Sequence, residues 1–166
     1  MTAPLRARLA SVALVVPLSV SAMLVARPAQ AADPEAQVLM MRLGAQALDL
    51  MLACAEGRLA EAQVNWANDH ALTVVMAARG YPGAYQKGSE IHGLSRPPED
   101  SRHMVFHAGT TLREGQIIAT GGRVLTITAR GDTLSDARNR AYAMIDHIHW
   151  PEGFCRSDIG WRALSK

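Results

Sequence analysis

Several groups of residues in this 166-residue chain have the types and spacing that chemistry needs. His147-x-His149, with Cys155 further on, offers two imidazoles and a thiol to a transition metal. Histidines at alternate positions of a helix end turn to different sides, however, and no fourth ligand is evident, so helix-end packing competes with ligation. His107 beside Gly109 and Thr110 has the setting of a general base. No Ser, Cys or Asp stands at a diagnostic spacing from it, which favours a strand-end histidine held by hydrogen bonds. Gly121-Gly122-Arg123 sets backbone amides and a guanidinium where an anion could sit, against the plainer reading of a hairpin turn. Tyr81-Pro82-Gly83-x-Tyr85-x-Lys87-Gly88 carries an ammonium on a glycine-bounded loop, without the spacing of a Walker loop. Cys54 falls on an apolar helical stretch and reads as a small buried hydrophobe. None of these groups names a reaction by itself.

The elements that must position them read as α+β. Asp33-Pro34 is a helix start, with Asp33 able to cap free amides and Pro34 at the first helical position. Val38, Met41, Leu48 and Leu52, widened by Leu39, Leu43 and Leu50, predict one helix of about 22 residues ending at Gly57. Residues 59–70 read as a short helical or irregular connection. His70–Ala78 is a β-rich run, and residues 88–94 suggest a second short strand. Residues 96–100 form a polar, Pro-rich loop. Strands are expected at 104–108 and 116–119, with Arg113-Glu114-Gly115 turning between them, and a Gly121-Gly122 hairpin leads into a strand over 123–129. Thr133-Leu134-Ser135-Asp136 starts a helix that buries Leu134, Ala137, Ala141, Ile145 and Ile148 and ends near Trp150-Pro151. The tail from Phe154 to Leu164 is apolar enough to pack back onto the body.

Charge narrows the partners. Residues 1–32 hold Arg6, Arg8 and Arg27 and no acid, whereas residues 33–166 hold 14 basic and 15 acidic side chains, a net of −1. Such a body has no bulk electrostatic reason to bind nucleic acid. Two cysteines cannot make a disulfide framework or a four-ligand zinc site. Residues 1–32 read as a secretory signal: a basic start, an apolar run from Leu9 to Ala26 interrupted by Pro17, and Ala29-Gln30-Ala31 as a cleavage pattern after Ala31. The competing reading is a segment translated from the wrong frame or start. Either way, few contacts are expected between this segment and the body.

Six motifs in order carry a resemblance. They are Asp33-Pro34-Glu35, Val75-Met76-Ala77-Ala78-Arg79-Gly80-Tyr81-Pro82-Gly83, Phe106-His107-Ala108-Gly109-Thr110, Gly121-Gly122-Arg123-Val124-Leu125, Ile148-His149-Trp150 and Asp158-Ile159-Gly160-Trp161-Arg162-Ala163. Each is weak alone; together, over residues 33–166, they resemble the C-terminal part of the phosphoribosylamine–glycine ligase family. The resemblance implies a small β-barrel-like C-terminal domain over 71–166, packed onto an ATP-grasp core, with 33–70 as the helical end of that core. It implies a cytoplasmic enzyme of purine biosynthesis, with ATP and Mg²⁺ or Mn²⁺ as cofactors and glycine and 5-phosphoribosylamine as substrates. ATP would phosphorylate glycine, and the amine of 5-phosphoribosylamine would attack the acyl phosphate.

The match stops at Asp33. The family runs Arg-Phe-Gly-Asp-Pro-Glu, preceded by a Glu-x-Asn pair that ligates the metal; here Gln30-Ala31-Ala32 precedes Asp33-Pro34-Glu35. Metal ligands and nearly all of the ATP-grasp core are therefore missing, and no catalytic residue is assigned. Asp33, Glu35, Lys87 and Arg123 are expected near substrate, and the Leu/Met stripe of 38–52 is expected to favour self-association. The expected product is a fragment inactive alone. Two alternatives are an exported, non-catalytic binding module reusing the domain, and a stand-alone partner completing a split ligase.

Overall fold

The computed structural model describes residues 34–94 and 102–165. The signal-like segment, its expected lack of contacts, Asp33 and the Pro-rich loop at 96–100 lie outside the described residues.

The described residues open with two helices, α1 (Pro34–Leu43) and α2 (Gln46–Ala55), followed by a 3-10 turn at Leu59–Glu61. The single leading helix expected from the apolar stripe is therefore broken. Gly44, at φ +58, takes the left-handed conformation that ends α1, its N–H reaching the Met40 carbonyl at 2.9 Å, and the chain turns by 106°. Among the described residues no single helix is long and apolar enough to cross a membrane.

Among the described residues seven strands follow, β1 (His70–Ala78), β2 (Glu90–Ile91), β3 (His103–His107), β4 (Thr110–Arg113), β5 (Gln116–Ala119), β6 (Arg123–Gly131) and β7 (Gly153–Phe154), with α3 (Leu134–His147) between the last two and α4 (Trp161–Leu164) after them. They form two open sheets, ordered β3-β6-β1-β7 and β2-β5-β4, and not a closed barrel. Each sheet keeps two edges, because β4 and β5 close on each other through a tight turn (Glu114 φ +51, Gly115 φ +82) instead of pairing onward with the larger sheet.

The core lies between the larger sheet and α3. Alternation along β1 puts Leu72, Val74, Met76 and Ala78 on one face, where they join Leu125 and Ile127 of β6 and Ala137, Ala141, Met144 and Ile145 of α3 in one buried cluster. The capping box expected at the start of α3 is present: Thr133 Oγ1 accepts from the Asp136 amide at 3.1 Å, and Asp136 Oδ2 accepts from the Thr133 amide at 3.1 Å. The opposite face of β1 and β6 receives α1. That contact is polar at its centre, where Thr128 Oγ1 lies 3.4 Å from buried Gln37 Oε1 and 2.8 Å from Thr73 Oγ1.

Gly121-Gly122 is not a hairpin. β5 and β6 belong to different sheets, and neither glycine has positive φ. What both positions require is the absence of a side chain. A Cβ on Gly121 would lie 3.0 Å from Gly109 Cα, and one on Gly122 would collide with the Tyr81 ring. The pair is the crossing by which the chain passes from one sheet to the other.

Candidate functional site

The register of the larger sheet creates a depression on its α1 side. Ala77 pairs with Arg123 of β6 on one flank and with Phe154 of β7 on the other, so a methyl group sits between two long side chains. The result is a groove of about 330 Å³. Thr73, Val75 and Ala77 of β1 line it together with Tyr81, Phe154, Cys155 and Ile159, and Pro34 of α1 lines it as well. Arg123 and Arg156 are its charged residues.

The two arginines differ electrostatically. Arg156 is held by Asp158 through Nε at 2.8 Å and Nη2 at 2.6 Å. That paired hydrogen bond holds the Asp158 carboxyl below its ordinary range and raises the guanidinium above its own. The Arg123 side chain is exposed and makes no hydrogen bond or ion pair with any described residue. Cys155 adds no charge, because burial and the nearby Asp146 carboxylate push its thiol upward.

The tail that supplies the groove's far side is fastened by α3. Arg138 donates to the Ile159 carbonyl at 3.0 Å and the Ser157 carbonyl at 2.7 Å, and its guanidinium lies 4.9 Å from the Tyr142 ring. Tyr142 in turn donates to the Arg156 carbonyl and accepts from the Ile159 amide at 3.3 Å. On the near side, Tyr81 lies over side-chain-free Gly122, edge-on to Tyr85 with ring centroids 6.1 Å apart.

Of the residues expected near substrate, only Arg123 lines this groove. Glu35 lies in the exposed first turn of α1, next to Pro34 but not among the lining residues. Lys87 is exposed, with its Nζ 5.7 Å from the Tyr85 ring, and reaches the groove only through the Tyr85–Tyr81 contact. Asp33 lies outside the described residues. The Gly121 amide donates to the Gly109 carbonyl at 3.1 Å and so is taken up within the fold instead of offered to an anion.

The other chemical groups stay apart. His107 Nδ1 lies 2.9 Å from Thr110 Oγ1 at the end of β3, His147 Nδ1 lies 2.7 Å from its own helix's Ala143 carbonyl, and His149 stacks on His92 at 6.4 Å. Among the described residues no three His, Cys, Asp or Glu side chains converge. Cys54 is exposed instead of buried, because among the described elements the main contacts of α2 are with α1 and the 3-10 turn and not with the sheet. Thr73, Tyr81, Phe154 and Arg156 had no diagnostic spacing; the period-2 alternation of β1 was the one signal that placed Thr73, Val75 and Ala77 together.

A family model described as "Phosphoribosylglycinamide synthetase, C domain" matches residues 71–162. The phosphoribosylamine–glycine ligase of Mesorhizobium japonicum is 52% identical over 134 residues, covering 81% of this chain and 31% of that protein. The Escherichia coli K12 protein of the same name is 48% identical over 136 residues, again 81% and 31%. The crystal structure of the Thermotoga maritima phosphoribosylamine–glycine ligase superposes with a TM-score of 0.67 at 33% identity, over 77% of this chain and 31% of that one. The chain thus spans less than a third of the length of these relatives. On these matches, the chain belongs to the phosphoribosylamine–glycine ligase family and carries its C domain.

Proposed function

We propose that this chain is the C-terminal portion of a cytoplasmic ATP-dependent ligase that joins glycine to 5-phosphoribosylamine in purine biosynthesis. The observation that carries the reading is the family-model match over residues 71–162, which takes in β6 and nearly all of β1 and of the tail that build the groove, beside 52% identity to a relative over 134 residues. In this reading the groove face is a wall of the substrate cleft, with the ATP-grasp core as the opposing wall. Arg123 would meet an anionic group of the substrate there, with Glu35 and Lys87 at the margin.

Acyl phosphate formation brings an anionic carboxylate to an anionic phosphate, so it needs concentrated positive charge, supplied in the family by ATP-bound Mg²⁺ or Mn²⁺. The described residues do not fit that metal. The groove offers the Thr73 hydroxyl, the Tyr81 phenol, the Cys155 thiol, apolar surface and two guanidinium groups, and no carboxylate is among its described lining residues. A dication would meet repulsion there, so no step is assigned to this chain through metal or ATP. What its own residues supply is orientation of an anion by Arg123 and exclusion of water by Tyr81 and Phe154.

The chain alone is therefore inactive in this reading. α2 exposes Leu48 (73%), Met51 (55%) and Leu52 (53%) as one stripe, which the core would cover and which favours self-association in the isolated chain. A coupled ADP-release assay with glycine, 5-phosphoribosylamine, ATP and Mg²⁺ tests the reading. The expected result is no glycine-stimulated turnover by the chain, and turnover when its residues 33–166 replace the equivalent part of a full-length relative. Turnover by the chain itself, or a dead but folded chimera, would overturn it.

A further inference from the structure

The groove's makeup selects a ligand chemistry more narrowly than the ligase reading does. Tyr81 and Phe154 keep 36% and 38% of their surface exposed although both line the groove. Tyr81 is fixed in place, resting where a Gly122 side chain would stand and edge-on to Tyr85. A held Tyr81 face and the exposed Phe154 ring beside a bed of Val75 and Ala77 favour a flat, apolar partner, since stacking on Tyr81 orders little that is not already ordered. The charge is equally selective. Arg156 is neutralised by Asp158, the Cys155 thiol is kept protonated, and Arg123 is the unpaired cation among the described lining residues.

We propose that this groove binds a planar ring bearing an anionic group, the ring between Tyr81 and Phe154 and the anion on Arg123. A volume of about 330 Å³ accommodates a ring of nucleobase or indole size with its acid, within the range of small-molecule sites. The proposal shares Arg123 with the ligase reading but does not rest on it, because it concerns binding by the chain alone and not turnover.

The test is an amide-shift titration of the ¹⁵N-labelled full chain with four probes: AMP, adenosine, ribose 5-phosphate and indole-3-acetate. At least one ring-bearing anion should shift the amides of Val75, Ala77, Tyr81 and Phe154 saturably. For the nucleotide set, AMP should bind about fivefold tighter than adenosine or ribose 5-phosphate, since only AMP makes the ring and anion contacts together. AMP binding more tightly than indole-3-acetate assigns a phosphate ligand, and the reverse assigns an aromatic carboxylate. Arg123→Gln should weaken the tighter anion about fivefold and leave adenosine unchanged; Tyr81→Leu should weaken the ring-bearing probes and spare ribose 5-phosphate. Both positions are exposed, so a well-dispersed spectrum certifies each variant as folded. Shifts outside the groove, equal binding of ribose 5-phosphate and the ring-bearing anions, no binding of either, or indifference to Arg123→Gln overturns the proposal.

Discussion

Gly109→Ala tests whether the crossing between the two sheets is as tight as it looks. A Cβ at residue 109 would stand 2.5 Å from the Arg123 carbonyl oxygen, 2.8 Å from Gly121 Cα and 3.0 Å from Gly121 N. All three are backbone atoms, so no rotamer change relieves them and one strand must move away. Three hydrogen bonds span the same spot: Gly109 N to Val124 O at 3.0 Å, Thr120 N to Gly109 O at 2.8 Å and Gly121 N to Gly109 O at 3.1 Å. Overpacking of a tight site costs about 1–3 kcal/mol, and stretching one of these bonds adds about 1 kcal/mol. The expected loss is about 3 kcal/mol, a large part of a typical domain's stability. Gly115→Ala is the control. Its φ is +82 with nothing within 4 Å, so only left-handed strain of about 1 kcal/mol opposes the methyl. Urea unfolding followed by circular dichroism compares the two directly. Gly109→Ala within about 0.5 kcal/mol of the parent, or no worse than Gly115→Ala, would show that the crossing opens freely and refute the packing argument.

Two further outcomes follow from the same structure. Burial holds the His103 imidazole below its ordinary range, so the unfolded chain takes up its proton first as pH falls below about 6.5; stability attributable to His103 is full above that pH and declines beneath it, and the urea midpoint should drop more between pH 7.5 and 5.5 in the parent than in His103→Gln, with equal drops counting against this. Cys155 is part-buried with its thiol pushed up by burial and Asp146, whereas Cys54 is exposed; iodoacetamide at pH 8 should therefore alkylate Cys54 first by peptide mass mapping, and the reverse order would place Cys155 in a different environment.

Local order was legible where a short stretch contained its own cause. His70–Ala78 is an apolar run with β-branched Thr73, Val74 and Val75 at its centre, and the strand has those limits; Thr133 and Asp136 announce α3 because a capping box is completed within four residues. The stripe from Val38 to Leu52 misled because Leu and Met fall at helical spacing on both sides of Gly44, while the bend is decided by that one residue's left-handed φ. β4 escaped notice because Thr110–Arg113 is an exposed edge with only Leu112 apolar. Gly121-Gly122 misled for a different reason. Its glycines answer to Gly109 and Tyr81, which are remote in sequence, and no local rule reports a neighbour of that kind. The groove failed to show for the same cause: Thr73, Tyr81, Arg123 and Phe154 meet only after β1 has paired with β6 on one side and β7 on the other.

The end of the groove formed by Pro34 is held by a polar contact that can be completed. Thr73 Oγ1 is 3.4 Å from the Ile127 carbonyl and 2.8 Å from Thr128 Oγ1, which is 3.4 Å from Gln37 Oε1. Two hydroxyl protons cannot serve these three bonds, and Gln37 Nε2 meanwhile has no partner although Gln37 is only 3% exposed. Turning the amide over supplies the missing donor. Nε2 then donates to Thr128, Thr128 donates to Thr73, and Thr73 donates to the Ile127 carbonyl, so each of the three contacts has its own proton. Leaving such a group unmade in a buried contact costs about 1–3 kcal/mol, which fixes α1 against β1 and β6 far more firmly than α2, whose only buried residue is Ala53. Pro34 is one helical turn from Gln37 and is anchored with it. The groove therefore has a wall that belongs to the same packed unit as its floor, while the exposed stripe of α2 lies on a helix with no comparable contact to the sheet.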